Sequence, residues 1–191
     1  MDQLIKYLLQ FGNFNQHQIN LIKNNVIPRS IHKGDYFSEA GKVSNEVAFI
    51  VDGIFRVTYY NKEGEEITKF FVEENRFAVD INSYFNLLPS SEYIQAMTDM
   101  ELLIISRERM EMLSNTILLW DGVVNKIANK AMIEKFNKTS MMLAEDAKTR
   151  YLNFHTRFPT LTNRIPLQYL ASYIGVTKHT LSRLRKEIAN Q

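Results

Sequence analysis

The stretch Pro166-Leu-Gln-Tyr-Leu-Ala-Ser-Tyr-Ile-Gly-Val-Thr-Lys-His-Thr-Leu-Ser-Arg-Leu-Arg-Lys-Glu-Ile188 sets two short helical patterns on either side of a single glycine. Leu170, Ala171 and Ile174 give the first helix an apolar face, and the small side chain of Ala171 lets a second helix cross close over it. Gly175 supplies the tight turn and Val176 fills the angle between the helices. Thr177 is placed to cap the second helix by accepting from its unpaired backbone N–H groups. On that helix Leu181, Leu184 and Ile188 recur at i, i+3 and i+7, one inward stripe. At about 100° per residue, His179, Ser182, Arg183 and Lys186 fall on the opposite side. The alternative is an ordinary amphipathic helix with a solvated basic face. Against it, turn, cap and both apolar faces agree on a helix-turn-helix whose second helix presents donors and cations to an anionic partner, double-stranded DNA.

The charge distribution points the same way. From Tyr151 onward the cations Arg157, Arg164, Lys178, Arg183, Arg185 and Lys186 face Glu187 as the sole acid, so this segment carries +5. With a net charge of +2 for the chain, the remainder carries −3.

The 191 residues, 45% hydrophobic and 23% charged, are enough for a sizeable core with a smaller second domain. The chain opens Met1-Asp2-Gln3-Leu4-Ile5-Lys6 without a signal-peptide pattern, and its apolar runs fall short of the roughly 20 residues that span a bilayer. The expectation is a cytoplasmic protein with no membrane partner. Cysteine is absent, which excludes disulfides, cysteine–zinc sites, cysteine-held iron–sulfur clusters and thiol redox sensing. His17, His32, His155 and His179 are far apart and lack paired ligand spacing, so no metal site is expected.

Enzymatic signatures are missing as well. There is no Gly-x-Ser-x-Gly elbow, phosphate-cradling glycine loop or His-Glu-x-x-His helix. Glu63, Glu65 and Glu66 fall on an expected hairpin tip, where solvation leaves their acidity untuned. No catalytic residue is assigned.

Gln3–Phe11 and Gln16–Asn24 read as short helices, the second capped by Asn15. From Ile27 to about Ile105 the pattern turns to short β-branched and aromatic runs, among them Glu46–Val51, Ile54–Tyr60 and Ile67–Val72. Turn signals at Lys33-Gly34-Asp35, Gly41, Asp52-Gly53 and Asn61-Lys62-Glu63-Gly64 separate them, which predicts a β-roll or jelly roll. After Arg107 a short helix runs through Leu113, followed by a long one from about Ile117 to Lys138. Its apolar residues Leu119, Trp120, Val123, Val124, Ile127, Ala128 and Ala131 form a broad stripe. Two readings fit the stripe: one side on the roll and the other on a second copy of the chain, or a core helix of a lone domain. A further helix, about Ala144–Arg157, stops at Phe158-Pro159. The expected division is 1–114 for the roll with its N-terminal helices, 115–142 for a linking helix and 143–191 for the DNA-binding domain.

This order resembles the Crp/Fnr family of bacterial transcription regulators over essentially the full chain. The resemblance rests on the frame Lys33-Gly34-Asp35, Gly41, Asp52-Gly53 and Gly64, and on Arg150-Tyr151-Leu152, Phe158-Pro159, Leu170–Thr177 and Leu181-Ser182-Arg183-Leu184. The C-terminal half is most similar to regulators common in Bacteroidetes. The resemblance implies an α+β chain with a cyclic-nucleotide-binding-like sensory roll, a long dimerisation helix and a C-terminal winged helix-turn-helix. It also implies a homodimer on a pseudo-palindromic operator with half-sites roughly 34 Å apart, and RNA polymerase as a further partner.

By the same resemblance, Lys178, His179, Ser182 and Arg183 stand at base-reading positions, and Gln168, Thr177, Thr180 and Lys186 at phosphate-holding ones. Bidentate arginine to guanine is the commonest specific contact of this kind. His179 departs from the glutamate frequent in the family, so the operator should differ.

In the sensory roll the matching effector positions are Val79, Asp80, Ser90 and Ser91, where cyclic-nucleotide-binding relatives carry Gly-Glu and Arg-Ser. Asp80 is a shortened glutamate, Val79 adds a side chain, Ser90 replaces the phosphate-pairing arginine, and Glu92 nearby is an anion. Burying a phosphate without a counter-cation is costly, which argues against cyclic AMP and leaves an unknown small effector, or none. No cofactor is assigned. A reading from a different class is a non-catalytic protein-interaction or oligomerisation module with a vestigial helix-turn-helix; a steep fall of DNA affinity with salt separates the two.

Overall fold

The structure is a computed structural model that describes residues 1–189, the side chains of residues 138 and 141–143 excepted. It forms two compact units: Met1–Tyr59 with Phe71–Lys130, and Tyr60–Phe70 with the chain from Ala131 onward.

The first unit opens with helices α1 (Asp2–Leu8) and α2 (Gln16–Asn24). Helix α2 starts as its sequence predicts: Asn15 accepts from the Gln18 N–H while Gln18 accepts from the Asn15 N–H, each at 2.9 Å. Helix α1 is shorter than the Gln3–Phe11 reading, and Leu9–Phe11 continue as a turn.

Strands β1 (Ile27–Ile31), β2 (Tyr36–Ser38), β3 (Glu46–Asp52), β4 (Phe55–Tyr60), β5 (Glu66–Val72), β6 (Phe77–Ala78), β7 (Tyr93–Ala96) and β8 (Met100–Ser106) follow. They make two four-stranded sheets among the described residues, ordered β1-β8-β3-β6 and β2-β7-β4-β5. The continuous apolar run of β8 is explained by period two: Leu103 and Ile105 join Phe49 in a core with Leu4, Leu8, Ile22 and Trp120, while Leu102 and Ile104 are buried on the opposite face. Gly53, at φ +105°, makes the β3–β4 turn; a Cβ there would stand 2.8 Å from the Asp99 carbonyl oxygen.

One element departs from the all-strand reading of Ile27–Ile105. Helix α3 (Ile81–Asn86) interrupts it, started by Asp80, whose side chain accepts from the Ser83 N–H at 3.1 Å. With six residues it is too short to show a helical period in sequence.

Helix α4 (Arg107–Thr116) and helix α5 (Trp120–Ala144) follow. Ile117, read as the start of the long helix, instead ends α4 by donating its N–H to the Leu113 carbonyl. Trp120 and Val123 are buried in the first unit's core, with Leu119, Val124 and Ile127 packed against it. The early part of the apolar stripe is therefore core.

The second unit holds the rest of α5, helix α6 (Ala147–Arg157), a short 3-10 turn (Leu161–Asn163), α7 (Leu167–Ile174) and α8 (Lys178–Ala189). Asp146 caps α6 by accepting from the Thr149 N–H at 2.8 Å. Tyr151, Phe154, Phe158, Leu161, Ile165, Leu170, Ala171, Ile174 and Leu181 are its buried apolar residues among those described. The tip of the β4–β5 hairpin belongs here: the Thr68 N–H donates to the Ser172 hydroxyl of α7 at 2.9 Å, and the Lys135 ammonium lies 4.5 Å from the centroid of the Phe70 ring. The wing that the resemblance implies would follow α8 and lies outside the described residues.

Candidate nucleic-acid interface and effector site

Helices α7 and α8 are joined by Gly175, Val176 and Thr177. Gly175 sits in the left-handed region at φ 78° and returns its N–H to α7, and the Val176 N–H bonds the Ala171 carbonyl at 3.0 Å. The Thr177 hydroxyl accepts from the Thr180 N–H at 3.1 Å, and the two hydroxyls are 2.9 Å apart. Cap and turn thus fall at the positions their residue types demand.

Leu181 is fully buried and Leu184 and Ile188 half-buried, so the inward stripe of α8 faces the unit. Lys178 is exposed in the first turn, His179, Arg183 and Lys186 are exposed on the outer side, and Ser182 is half-buried at its edge. Gln168 and Thr177 are exposed and Thr180 is half-buried. Seven of the eight expected contact positions, Gln168 apart, therefore lie between Thr177, which caps α8, and Lys186. Arg183 also has a partner that its spacing alone did not bring forward: its Nε lies 3.7 Å from Glu187 Oε1, one turn on.

Beneath this surface Tyr173 packs on Phe154, ring centroids 5.1 Å apart. Burial pushes its phenol up to about 12, with nearby Arg157 pulling the other way.

The effector-site candidates gather around α3. The Ser90 hydroxyl, in a buried residue, donates to Asp80 Oδ2 at 2.6 Å and accepts from the Glu92 N–H at 3.0 Å. The other Asp80 oxygen caps α3. Val79 is half-buried beside them, whereas Ser91 is exposed and outside this network of bonds. The backbone of Ser90 is tied to the β2–β3 loop by the Ser90 N–H to the Lys42 carbonyl and the Gly41 N–H to the Ser90 carbonyl, each 2.8 Å. Behind them Ser83 donates to the Leu88 carbonyl and accepts from the Ser44 N–H. Arg107 donates to the carbonyls of Ser44 and Tyr84 and lies over the Tyr84 ring. Desolvation raises the Tyr84 phenol above its ordinary range, which Arg107 offsets in part.

Chemically, the Asp80 carboxylate already takes the donors that a small anion would need here, the α3 N–H and the Ser90 hydroxyl. The described residues hold no cluster of His, Cys, Asp or Glu that could bind a metal ion, and no helix among them is long and apolar enough to cross a membrane.

Sequence reasoning did not single out Met132, Ile133 and Phe136, the exposed apolar residues of α5 beyond the core-buried part of the stripe. At about 100° per residue they fall on the side of α5 opposite that stripe, so extending its period does not reach them.

Residues 28–116 match the family model described as the cyclic nucleotide-binding domain. No sequence among curated proteins matches the chain. Solved structures share its fold at low identity. The c-di-GMP-responsive global regulator CLP of Xanthomonas campestris is 15% identical, with 92% of each chain covered and a TM-score of 0.72. FixK2 of Bradyrhizobium japonicum is 13% identical, covering 87% of this chain and 85% of its own, at 0.77. A transcriptional regulator of the Crp/Fnr family from Eubacterium rectale is 17% identical, covering 96% and 88%, at 0.73. The roll is thus similar in sequence to the cyclic nucleotide-binding domain, and the chain shares the fold of solved Crp/Fnr transcription regulators.

Proposed function

We propose that the protein is a homodimeric, non-catalytic DNA-binding transcription regulator that reads a pseudo-palindromic operator through α8. The observation that carries this reading is the outer face of α8: His179, Arg183 and Lys186 are exposed opposite the buried Leu181, with Lys178 exposed in the first turn, on a helix whose start is fixed by Gly175 and Thr177. Such a face can enter the major groove with its first turns toward base edges. Lys178, His179, Ser182 and Arg183 then read bases, while Gln168, Thr177, Thr180 and Lys186 hold phosphates and set register.

The functional division follows: residues 1–114 sense, 115–142 join two copies, and 143–191 bind DNA. Exposed Met132, Ile133 and Phe136 supply apolar surface for the second copy. The Asp80–Ser90 pair supports a roll that does not take cyclic AMP, because the donors are spent on the chain's own carboxylate. A different small effector, or none, fits this arrangement. DNA and a second copy are the proposed partners, with RNA polymerase as the machinery such a regulator addresses, in the cytoplasm.

An anisotropy titration with an operator obtained by unbiased selection tests the reading. Several phosphate contacts make log affinity fall steeply with log salt. Arg183→Ala abolishes the preference for operator over random DNA, while Lys186→Ala weakens both about equally. Flat, negligible binding across salt would overturn the reading and favour a protein-interaction module.

A further inference from the structure

Glu187 is the only acid after Asp146, in the most basic segment of the chain, and local helix physics does not account for it. It stands in the last turn of α8 (Lys178–Ala189), where the carbonyl end of the helix dipole disfavours a carboxylate. Its pairing with Arg183 runs in the less favourable order for an i,i+4 pair, cation before acid. Both side chains are mostly exposed, 78% for Arg183 and 63% for Glu187, so the pair adds little to stability. On a DNA-facing helix an extra anion also repels phosphate. The position is therefore costly or neutral for the fold, for the helix and for bulk affinity.

Its geometry gives it a different use. Glu187 Oε1 approaches the Nε of Arg183, the side edge of the guanidinium. The two terminal Nη groups are the pair that meets O6 and N7 of a guanine end-on. At 3.7 Å the pair is an ion pair and not a hydrogen bond; a carboxylate on the side edge favours one orientation of the guanidinium plane while leaving that fork to the base, since Arg presents its five donors in a rigid plane.

Resting on the DNA-reading role proposed above, we infer that Glu187 is a specificity-determining positioning residue: it holds Arg183 by Nε so that its terminal fork faces one base pair. Lysine at 183 could not be held this way, having no side edge. Glu187 touches no base and acts through Arg183.

The test is an operator selection with competition binding, at fixed salt, on the full chain. Glu187→Met, similar in length and without the carboxylate, lowers the base preference at the position relaxed by Arg183→Ala by about 3- to 10-fold, in both half-sites and nowhere else. Affinity for random DNA does not fall. On an Arg183→Lys background Glu187→Met brings no further loss at that position, because the held group is gone. Matching circular-dichroism melts show that the variants fold as the parent does.

An unchanged preference at that base pair, a loss spread evenly over the site, or a further loss on the Arg183→Lys background overturns the assignment of Glu187 and leaves the DNA-binding reading standing. Failure of the parent chain to bind DNA in a salt-dependent way overturns both.

Discussion

The backbone N–H of Thr68, near the tip of the β4–β5 hairpin, donates to the hydroxyl of Ser172 on α7 across 104 positions of sequence. A hydroxyl that accepts from the amide of a buried residue is worth more than its own exposure suggests, because its loss leaves the amide without that acceptor. Ser172→Ala is expected to destabilise the second unit by about 1–2 kcal/mol. Urea unfolding with a probe in that unit measures it, and amide exchange at Thr68 should quicken in the same variant. Unchanged exchange at Thr68 would show that the bond does not hold the hairpin tip.

The Asp80–Ser90 pair makes a prediction about ligand response. Ser90→Ala removes a donor from the carboxylate in a buried setting, at a cost of about 1–2 kcal/mol. Cyclic AMP at millimolar concentration is expected to leave the melting temperature of the parent chain unchanged, since only a ligand that binds the folded state shifts it. A concentration-dependent rise would count against the reading of the pocket.

Acid and alkaline limits follow from two groups in the second unit. The Thr149 N–H and side chain hold the Asp146 carboxyl below its ordinary range. A depressed folded-state value means a contribution fully present above the unfolded value and lost as pH falls through the folded one. Asp146→Ala should therefore lower the melting temperature at neutral pH and converge with the parent in acid. Tyr173 has the opposite sign: raised from 10.0 to about 12, its neutral phenol contributes stability below pH 10, lost as pH rises toward 12. Tyr173→Phe removes that alkaline dependence, which phenolate absorbance and helicity can follow together.

Phe136, 71% exposed, stands near Met132 and Ile133 along α5. Phe136→Glu is expected to shift sedimentation from dimer toward monomer and to weaken binding to a full operator more than to an isolated half-site. Loss of affinity equal on both would place Phe136 outside the dimer contact.

What was legible in sequence was local. Gly175, Thr177 and the Leu181 stripe sit within a few residues of one another, and each reports its own geometry through a positive φ, a cap or a period. The β-roll was legible from its turns and alternation, but α3 was not, because Ile81–Asn86 is shorter than two helical turns and lies among strands. The bond of Ser90 to Asp80 was hidden for another reason. Both residues were singled out as departures from a phosphate site, yet nothing in their spacing says that a hydroxyl ten positions on will turn back to the carboxylate. The Thr68–Ser172 bond is more remote still, and Arg183–Glu187, though one helical turn apart, is not singled out by charge counting, which only sums the two.

The carboxylate of Asp80 is tethered to the donors it occupies by a short length of chain. Any solute seeking the same N–H and hydroxyl competes against a group held at an effective concentration of at least about millimolar, and one that dilution never removes. The start of α3 is in this sense buffered by the protein itself: an incoming anion must displace a carboxylate that is always present.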